Sequence, residues 1–355
     1  MTGMEHNFQG LRYTILHNCT VLPLAFTSNS GSVRGGILGS NLPEYAHQVT
    51  GDGVGNHYTK TRFRHGDPSG NFGGVDPVFV PGTTIYLGPL HRHFGHAMTE
   101  SMARTWATEV PEFRDARRAF LPEVSSEQER IDASESGIGG FREQILEYMN
   151  LDDSYMVTTK TVFETLVVPE PGFILFSDKV SPHFVDFVAQ KAKAHFGDPT
   201  PSKKIFYGRP GDLGSVAGET VLSSFLERFG YELIYPELLP VREQIKIAHE
   251  TMIAVGVQGS TFHAFNLAAN TESTALVIQR QGSRINNGFL KSIRPFTGTV
   301  YDCNESTIVG IKENTAVVLP DINKLLKQLM DADPTIDVSQ FPWGDFYNAV
   351  KQNFS

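Results

Sequence analysis

Cysteine is almost missing from this sequence. Cys19 and Cys303 are the only two among 355 residues. So few thiols exclude a disulfide framework and a cysteine-built zinc cluster, and the simplest compartment is a reducing one, the cytoplasm. No apolar run is long enough to cross a bilayer, so no transmembrane segment is expected. No basic-then-apolar leader opens the chain, and the N-x-S/T triplets at Asn18, Asn304 and Asn353 read as chance matches. Net positive charge is lacking too. A formal net charge of -9 disfavours a nucleic-acid partner, and no polybasic run would hold the chain on an anionic membrane.

What is present suits a soluble α/β protein. The length fits two domains better than one, and a hydrophobic fraction of 40% allows a large core. Near the start, Arg12 to Leu16 and Thr20 to Leu24 alternate like short strands. Glycine-rich sequence from Ser30 to Gly74 predicts long loops. Within it, Gly51 to Gly55 has neither a strand before it nor a helix after it, so it reads as a loop. Val78 to Val80 and Thr84 to Leu87 read as strands. From Gly95 a helix is expected through Trp106, with Met98, Met102 and Trp106 on one face. His96 and Glu100, four apart, share a face of that helix. Glu127 to Arg130 reads as a charged helix start and Gly137 to Gly140 as a hinge-like loop. Helices are expected at Phe141 to Met149 and Pro182 to Phe196, with a strand at Val162 to Pro169.

Gly197 to Lys203 combines Pro, Gly and polar residues and reads as a linker. It separates a first domain, 1–197, from a second, 203–334; a helix over 342–355 is expected to rejoin the first. Beyond the linker, strands and helices alternate: Lys204 to Tyr207, Gly218 to Phe229, Tyr231 to Tyr235, Val241 to Glu250, Met252 to Val257, Thr261 to Ala269, Ala275 to Ile278 and Asn287 to Ile293. Edge strands at Thr299 to Asp302 and Thr315 to Leu319 and a helix at Asp321 to Met330 follow. That order predicts a doubly wound parallel sheet.

The turn after Val257 carries the strongest chemical signal. A buried strand stops at Gln258-Gly259-Ser260, and Ser260 or Thr261 can cap the helix that follows. Such a turn offers backbone N–H groups and a positive helix end to a phosphate, and Gly259 lets a ligand approach the backbone.

Several motifs together resemble glycosyltransferase family 61. They are Tyr207-Gly-Arg209, Tyr235-Pro-Glu237, Glu243-Gln244 and Gly256-Val-Gln-Gly-Ser260, with His96 and Glu100 resembling an upstream motif of the same family. The resemblance covers roughly His91 to Ile278. Gln258 stands where the family usually has His, Ser260 where it has Ala, and Ala264 where it commonly has Asn. The Tyr-Gly-Arg spacing is also one residue short. The chain is therefore identified as a divergent member.

The resemblance implies a GT-B-like arrangement, two Rossmann-like doubly wound domains facing across a cleft. It implies inverting transfer of a sugar from a nucleotide sugar, such as UDP-xylose or UDP-GlcNAc, to an oligosaccharide or glycan acceptor. Glu100 and His96 would be catalytic. Arg209, Tyr235, Glu237, Gln244, Gln258, Gly259, Ser260, Thr261 and His263 would bind the donor. Physical chemistry agrees on the roles: the acceptor hydroxyl needs a base, and the leaving diphosphate needs positive potential, which a bidentate Arg supplies. Gln258 can donate a neutral hydrogen bond but no proton. No cofactor and no essential metal is expected.

Two other readings remain open from sequence alone. His91, His93, His96 and Glu100 have spacings that suit a metal-dependent hydrolase. The departures at Gln258 and Ala264 suit a non-catalytic nucleotide- or sugar-binding module. Asp331-Ala-Asp333 looks like a metal-binding Asp-x-Asp, but it follows a helix and reads as a helix terminus.

Overall fold

The structure is a computed structural model. It describes residues 4–26, 33–38, 42–43, 45, 63–65, 76–124, 129, 132–133, 138–209, 216–279, 286–303, 307–312 and 315–352. The expected loop at Gly51 to Gly55 lies outside them. So does most of the expected helix start at Glu127 to Arg130, and Gly137 of the hinge-like loop. The chain divides into two compact units, residues 1–187 and 188–355. The division falls inside the helix Pro182–Phe196.

The first unit is built on one mixed sheet. Its strands are β1 (Met4–Phe8), β2 (Leu11–Phe26), β3 (Val33–Ile37), β4 (Phe63–His65), β5 (Val78–Leu90), β6 (Arg117–Pro122), β7 (Tyr155–Met156) and β8 (Thr161–Pro169). They lie in the order β4-β3-β2-β8-β5-β6-β7, with β1 paired to β2. Strands β8, β5, β6 and β7 are parallel, whereas β2 is antiparallel to β1, β3 and β8. The expectation of a doubly wound sheet is corrected here. Gln9 and Gly10, both at positive φ, make a two-residue turn that folds β1 back on β2, and a hairpin is necessarily antiparallel.

Strands read as pairs turn out to be single. Asn18, at φ 48°, interrupts the pairing of β2 with β8 without ending the strand. The register of β5 shifts between Val80 and Thr83, where Gly82 adopts φ 77° and donates its N–H to Glu164 at 2.6 Å. A bulge needs residues that look like a break in sequence. The sheet's core holds Leu16, Cys19, Val21, Tyr86, Ala119, Phe163 and Leu166.

The second unit carries a fully parallel sheet of β9 (Lys203–Tyr207), β10 (Tyr231–Ile234), β11 (Thr251–Val257), β12 (Asn270–Ile278) and β13 (Thr297–Cys303). Its order is β10-β9-β11-β12-β13. Numbered within the unit, this is 2-1-3-4-5, a doubly wound order. Helices Glu219–Glu227, Val241–Glu250, Ile322–Ala332 and Trp343–Gln352 accompany it, and β14 (Thr307–Lys312) pairs with β15 (Thr315–Leu319) as a separate hairpin. Strand β11 is buried over most of its length, as its nearly continuous apolar sequence requires. Asp333 ends the helix that begins after Asp321, and it pairs with Lys204 at 2.7 Å.

The C-terminal helix packs within the second unit rather than returning to the first. Phe346 and Val350 join the core of Phe206, Leu222, Phe225, Val255 and Leu329. Gly218 permits this: at φ 76° a Cβ there would stand 2.5 Å from Cε2 of Phe346. Gly218→Ala combines a left-handed backbone with that clash, so it should destabilise by roughly 1–3 kcal/mol. Urea unfolding of both proteins measures the difference, and equal midpoints would contradict this packing.

Candidate functional site

Two groups of polar side chains stand at the carboxyl ends of parallel strands, one in each unit. In the first unit the chain leaves β5 at Leu90 and enters a short helix, Phe94–Met98. The expected long helix to Trp106 does not form. The Thr99 hydroxyl donates to Gly95 O at 2.7 Å, Thr99 leaves helical geometry at φ -114° and ψ -80°, and tight turns follow at Glu100–Met102 and Thr105–Glu109. Such local side-chain bonds compete with the helix ladder. Met98, Met102 and Trp106 are all buried regardless.

His96 and Glu100 keep the contact expected of them. Nδ1 of His96 hydrogen-bonds Oε2 of Glu100, and both side chains are buried. The second oxygen of Glu100, Oε1, is buried with no hydrogen-bond partner. Behind the pair, the Arg104 guanidinium donates to the carbonyls of Tyr45 and Pro169 and pins the turns to the sheet. Burial pushes its pKa down to about 10.

Sequence reasoning missed Glu123, which follows β6. Its Oε2 lies 3.1 Å from Nδ1 of His91 and accepts the Arg92 N–H at 3.1 Å. Burial works against the charge on His91, but the bond to Glu123 and the charges of Glu100 and Glu123 outweigh it, so the imidazole pKa is raised. Burial likewise raises Glu123, but its bond to His91 and that imidazole's charge win, and its pKa is lowered. Burial and the neighbouring His96 push His93 down. The imidazoles of His91 and His96 are thus bound pairwise to carboxylates. Among the described residues, no group of three or more His, Cys, Asp or Glu is arranged to hold a metal ion.

In the second unit, β9 and β11 pair directly, with Gly256 opposite Tyr207. A Cβ on Gly256 would come within 2.9 Å of Cβ of Tyr207. Arg209 and Gln258 lie two residues past those partners, at the switch point of the sheet order, where open α/β sheets bind ligands. Gly208 is confined too, since a Cβ would stand 2.7 Å from Leu233 and 2.8 Å from Tyr235. Arg209 is half-buried. Burial lowers its pKa against the opposing charges of Glu237 and Glu219. Glu219, also missed from sequence, accepts the N–H groups of Arg209 at 3.1 Å and Val216 at 3.3 Å. Burial raises its pKa.

The other expected donor residues divide into two sets. Tyr235 is half-buried just past β10, Glu237 is exposed, Gln258 is buried, and Gly259 and Ser260 are partly exposed. Ser260–His263 is a 3-10 turn that leads into a short helix, Ala264–Ala268, and no side chain caps the turn. Thr261 is buried there. Gln244 donates to Leu239 O at 2.9 Å, a bond that holds the preceding loop. His263 is buried, with Nδ1 3.3 Å from Asn266 Oδ1 and its ring against Phe289.

The His91–Glu123 pair predicts a pH dependence of stability. A raised His91 pKa contributes stability fully below the usual imidazole value, about 6.5, and loses it as pH rises through the folded value. A lowered Glu123 pKa contributes above the usual carboxylate value, about 4.3, and loses it as pH falls. The pair should stabilise most between those values. Melting temperatures of Glu123→Gln and the parent should differ most near pH 5.5 and draw together as pH rises through the raised folded value of His91. A gap that stays constant across that range would show that the pair is not ionised.

The geometry above accompanies a clear sequence relationship. No curated protein matches the chain. The family profile described as Glycosyltransferase 61 matches residues 94–276, a span that includes His96, Glu100, Arg209 and Gln258 and exceeds half of the chain. The chain belongs to glycosyltransferase family 61, and it is a glycosyltransferase.

Proposed function

We propose that the protein is an inverting, metal-independent glycosyltransferase of the cytoplasm. It moves a sugar from a UDP-sugar, such as UDP-xylose or UDP-GlcNAc, to a glycan acceptor. The observation that carries the donor assignment is the coincidence of Arg209 and the Gln258–Thr261 turn at the switch point of the second sheet. Arg209 opposes the charge of the leaving diphosphate, and the backbone N–H groups of the turn donate to its remaining oxygens. Tyr235 and Gln258 stand at the same edge and contact the nucleotide. A guanidinium and backbone dipoles supply the positive potential that a divalent ion supplies elsewhere.

Inversion needs one base. Gln258 cannot take up a proton, so that role falls to the first unit. The His96–Glu100 couple supports it, since a carboxylate bound to one imidazole nitrogen fixes the ring and stabilises the imidazolium formed on proton uptake. The acceptor is assigned to the same unit.

The two roles separate experimentally. Arg209→Ala should weaken UDP binding about 10- to 100-fold in calorimetric titration, the equivalent of about 1.5–3 kcal/mol for a charge-assisted bond. Glu100→Gln and His96→Asn should bind UDP like the parent and lose about 10²–10⁴-fold in turnover. Undiminished UDP affinity in Arg209→Ala would remove the donor site from this edge. Parental turnover in both Glu100→Gln and His96→Asn would remove the base. Chelator should leave turnover unchanged, and loss of turnover restored by one added metal would overturn the metal-independent reading.

A further inference from the structure

A second imidazole–carboxylate pair stands beside the proposed base, and the reaction as written does not use it. Nδ1 of His91 lies 3.1 Å from Oε2 of Glu123, with side-chain exposures of 9% and 13%. The Glu123 N–H returns to Leu90 O at 2.9 Å, so the ends of β5 and β6 are laced together at this point. The His91 N–H donates to Oγ of Ser101 at 3.0 Å, and Ser101 adjoins Glu100. The His91 and His96 ring centroids are 5.5 Å apart. His91 therefore reaches the base couple by two routes, one through the backbone turn and one through the ring. Its own Nε2 is buried without a hydrogen-bond partner. His91 also precedes the residues matched by the family profile, which begin at 94.

A burial of this kind has a cost. Taking two charged groups out of water is expensive, and an apolar pair of similar volume often stabilises a fold as well. In some proteins a buried polar or ionic group enforces a single arrangement of its neighbours. Here the arrangement touches Ser101 and His96, the two neighbours that determine where the Glu100 carboxylate points.

We infer that His91, braced by Glu123, is a positioning residue for the His96–Glu100 couple, holding the Ser101 turn and the His96 ring in one orientation toward the acceptor hydroxyl. This rests on the assignment of that couple as the base. The charge balance agrees: Glu123 and Glu100 together favour the protonated imidazole of His91 against its burial. The groups around it are Glu123, Glu100, His96 and His93, with Arg92 and Arg142 joined to Glu129 on the outer side.

Three measurements on the full chain test the inference. In ¹⁵N imidazole spectra, the His96 signals are identified by their disappearance in His96→Asn. They should shift in Glu123→Gln and shift less in Glu123→Asp. With UDP-xylose and UDP-GlcNAc as donors, Glu123→Gln should lower kcat at least tenfold while the donor KM and UDP affinity stay parental, and Glu123→Asp should recover part of the loss. In a Glu100→Gln background, adding Glu123→Gln should cost almost nothing more, because residues that act as one unit are not additive. Should Glu123→Gln fail to fold, His91→Asn keeps a nitrogen near the Nδ1 position and takes its place. Unmoved His96 signals, or losses that multiply in the double variant, would overturn the positioning role. Parental turnover in both Glu100→Gln and His96→Asn would instead sink the base assignment, and the spectra would still decide whether the two pairs are coupled.

Discussion

Parallel pairing obliges neighbouring strands to finish on the same edge of a sheet, and the polar chemistry of this protein follows from that obligation. In the first unit β5 delivers His91 and β6 delivers Glu123 to one edge. In the second, β9, β10, β11 and β12 deliver Arg209, Tyr235, Gln258 and Gln279 to another. Just before those ends the strands are apolar, as with Phe206, Val255 and Leu276 in the second core. Polar side chains begin one or two positions after pairing ends. The small residues at Gly256 and Gly208 keep β9, β11 and their neighbours close enough for those end positions to meet.

The end of the first sheet holds polar atoms without hydrogen-bond partners. Nε2 of His91 and Oε1 of Glu100 are both buried and unsatisfied. Each such group costs about 1–3 kcal/mol when it is left that way. A chain selected for stability alone would replace them. Their presence beside a carboxylate–imidazole couple marks this end of the first sheet as one not optimised for stability.

How much of this was legible in the sequence depends on the range of the interaction involved. The helices Phe141–Met149, Pro182–Phe196 and Val241–Glu250 have the bounds expected from their periodicity, because an amphipathic stripe is a local pattern. The turn after Val257 and the placement of Arg209 were legible for a similar reason, since strand ends can be read from apolar runs. Pro81-Gly82 misled because a bulge and a strand end use the same residues, and Asn18 because a left-handed residue can sit inside a continuous strand. Thr99 broke a helix through one hydroxyl bond that no periodicity reveals. Glu123 could not be found locally: it meets His91 only because β6 lies next to β5. The rule that polar residues just past parallel strands gather on one edge would have named it, had the strand order been known.

Glu219 has a consequence for how this family member can vary. One carboxylate holds the backbone N–H of Arg209 with one oxygen and that of Val216 with the other. The two ends of the intervening stretch are therefore fixed by a side chain outside it. Variation at Glu219 therefore acts on two backbone positions at once: it releases the N–H of Arg209, beside β9, and the N–H of Val216, which leads into the helix Glu219–Glu227.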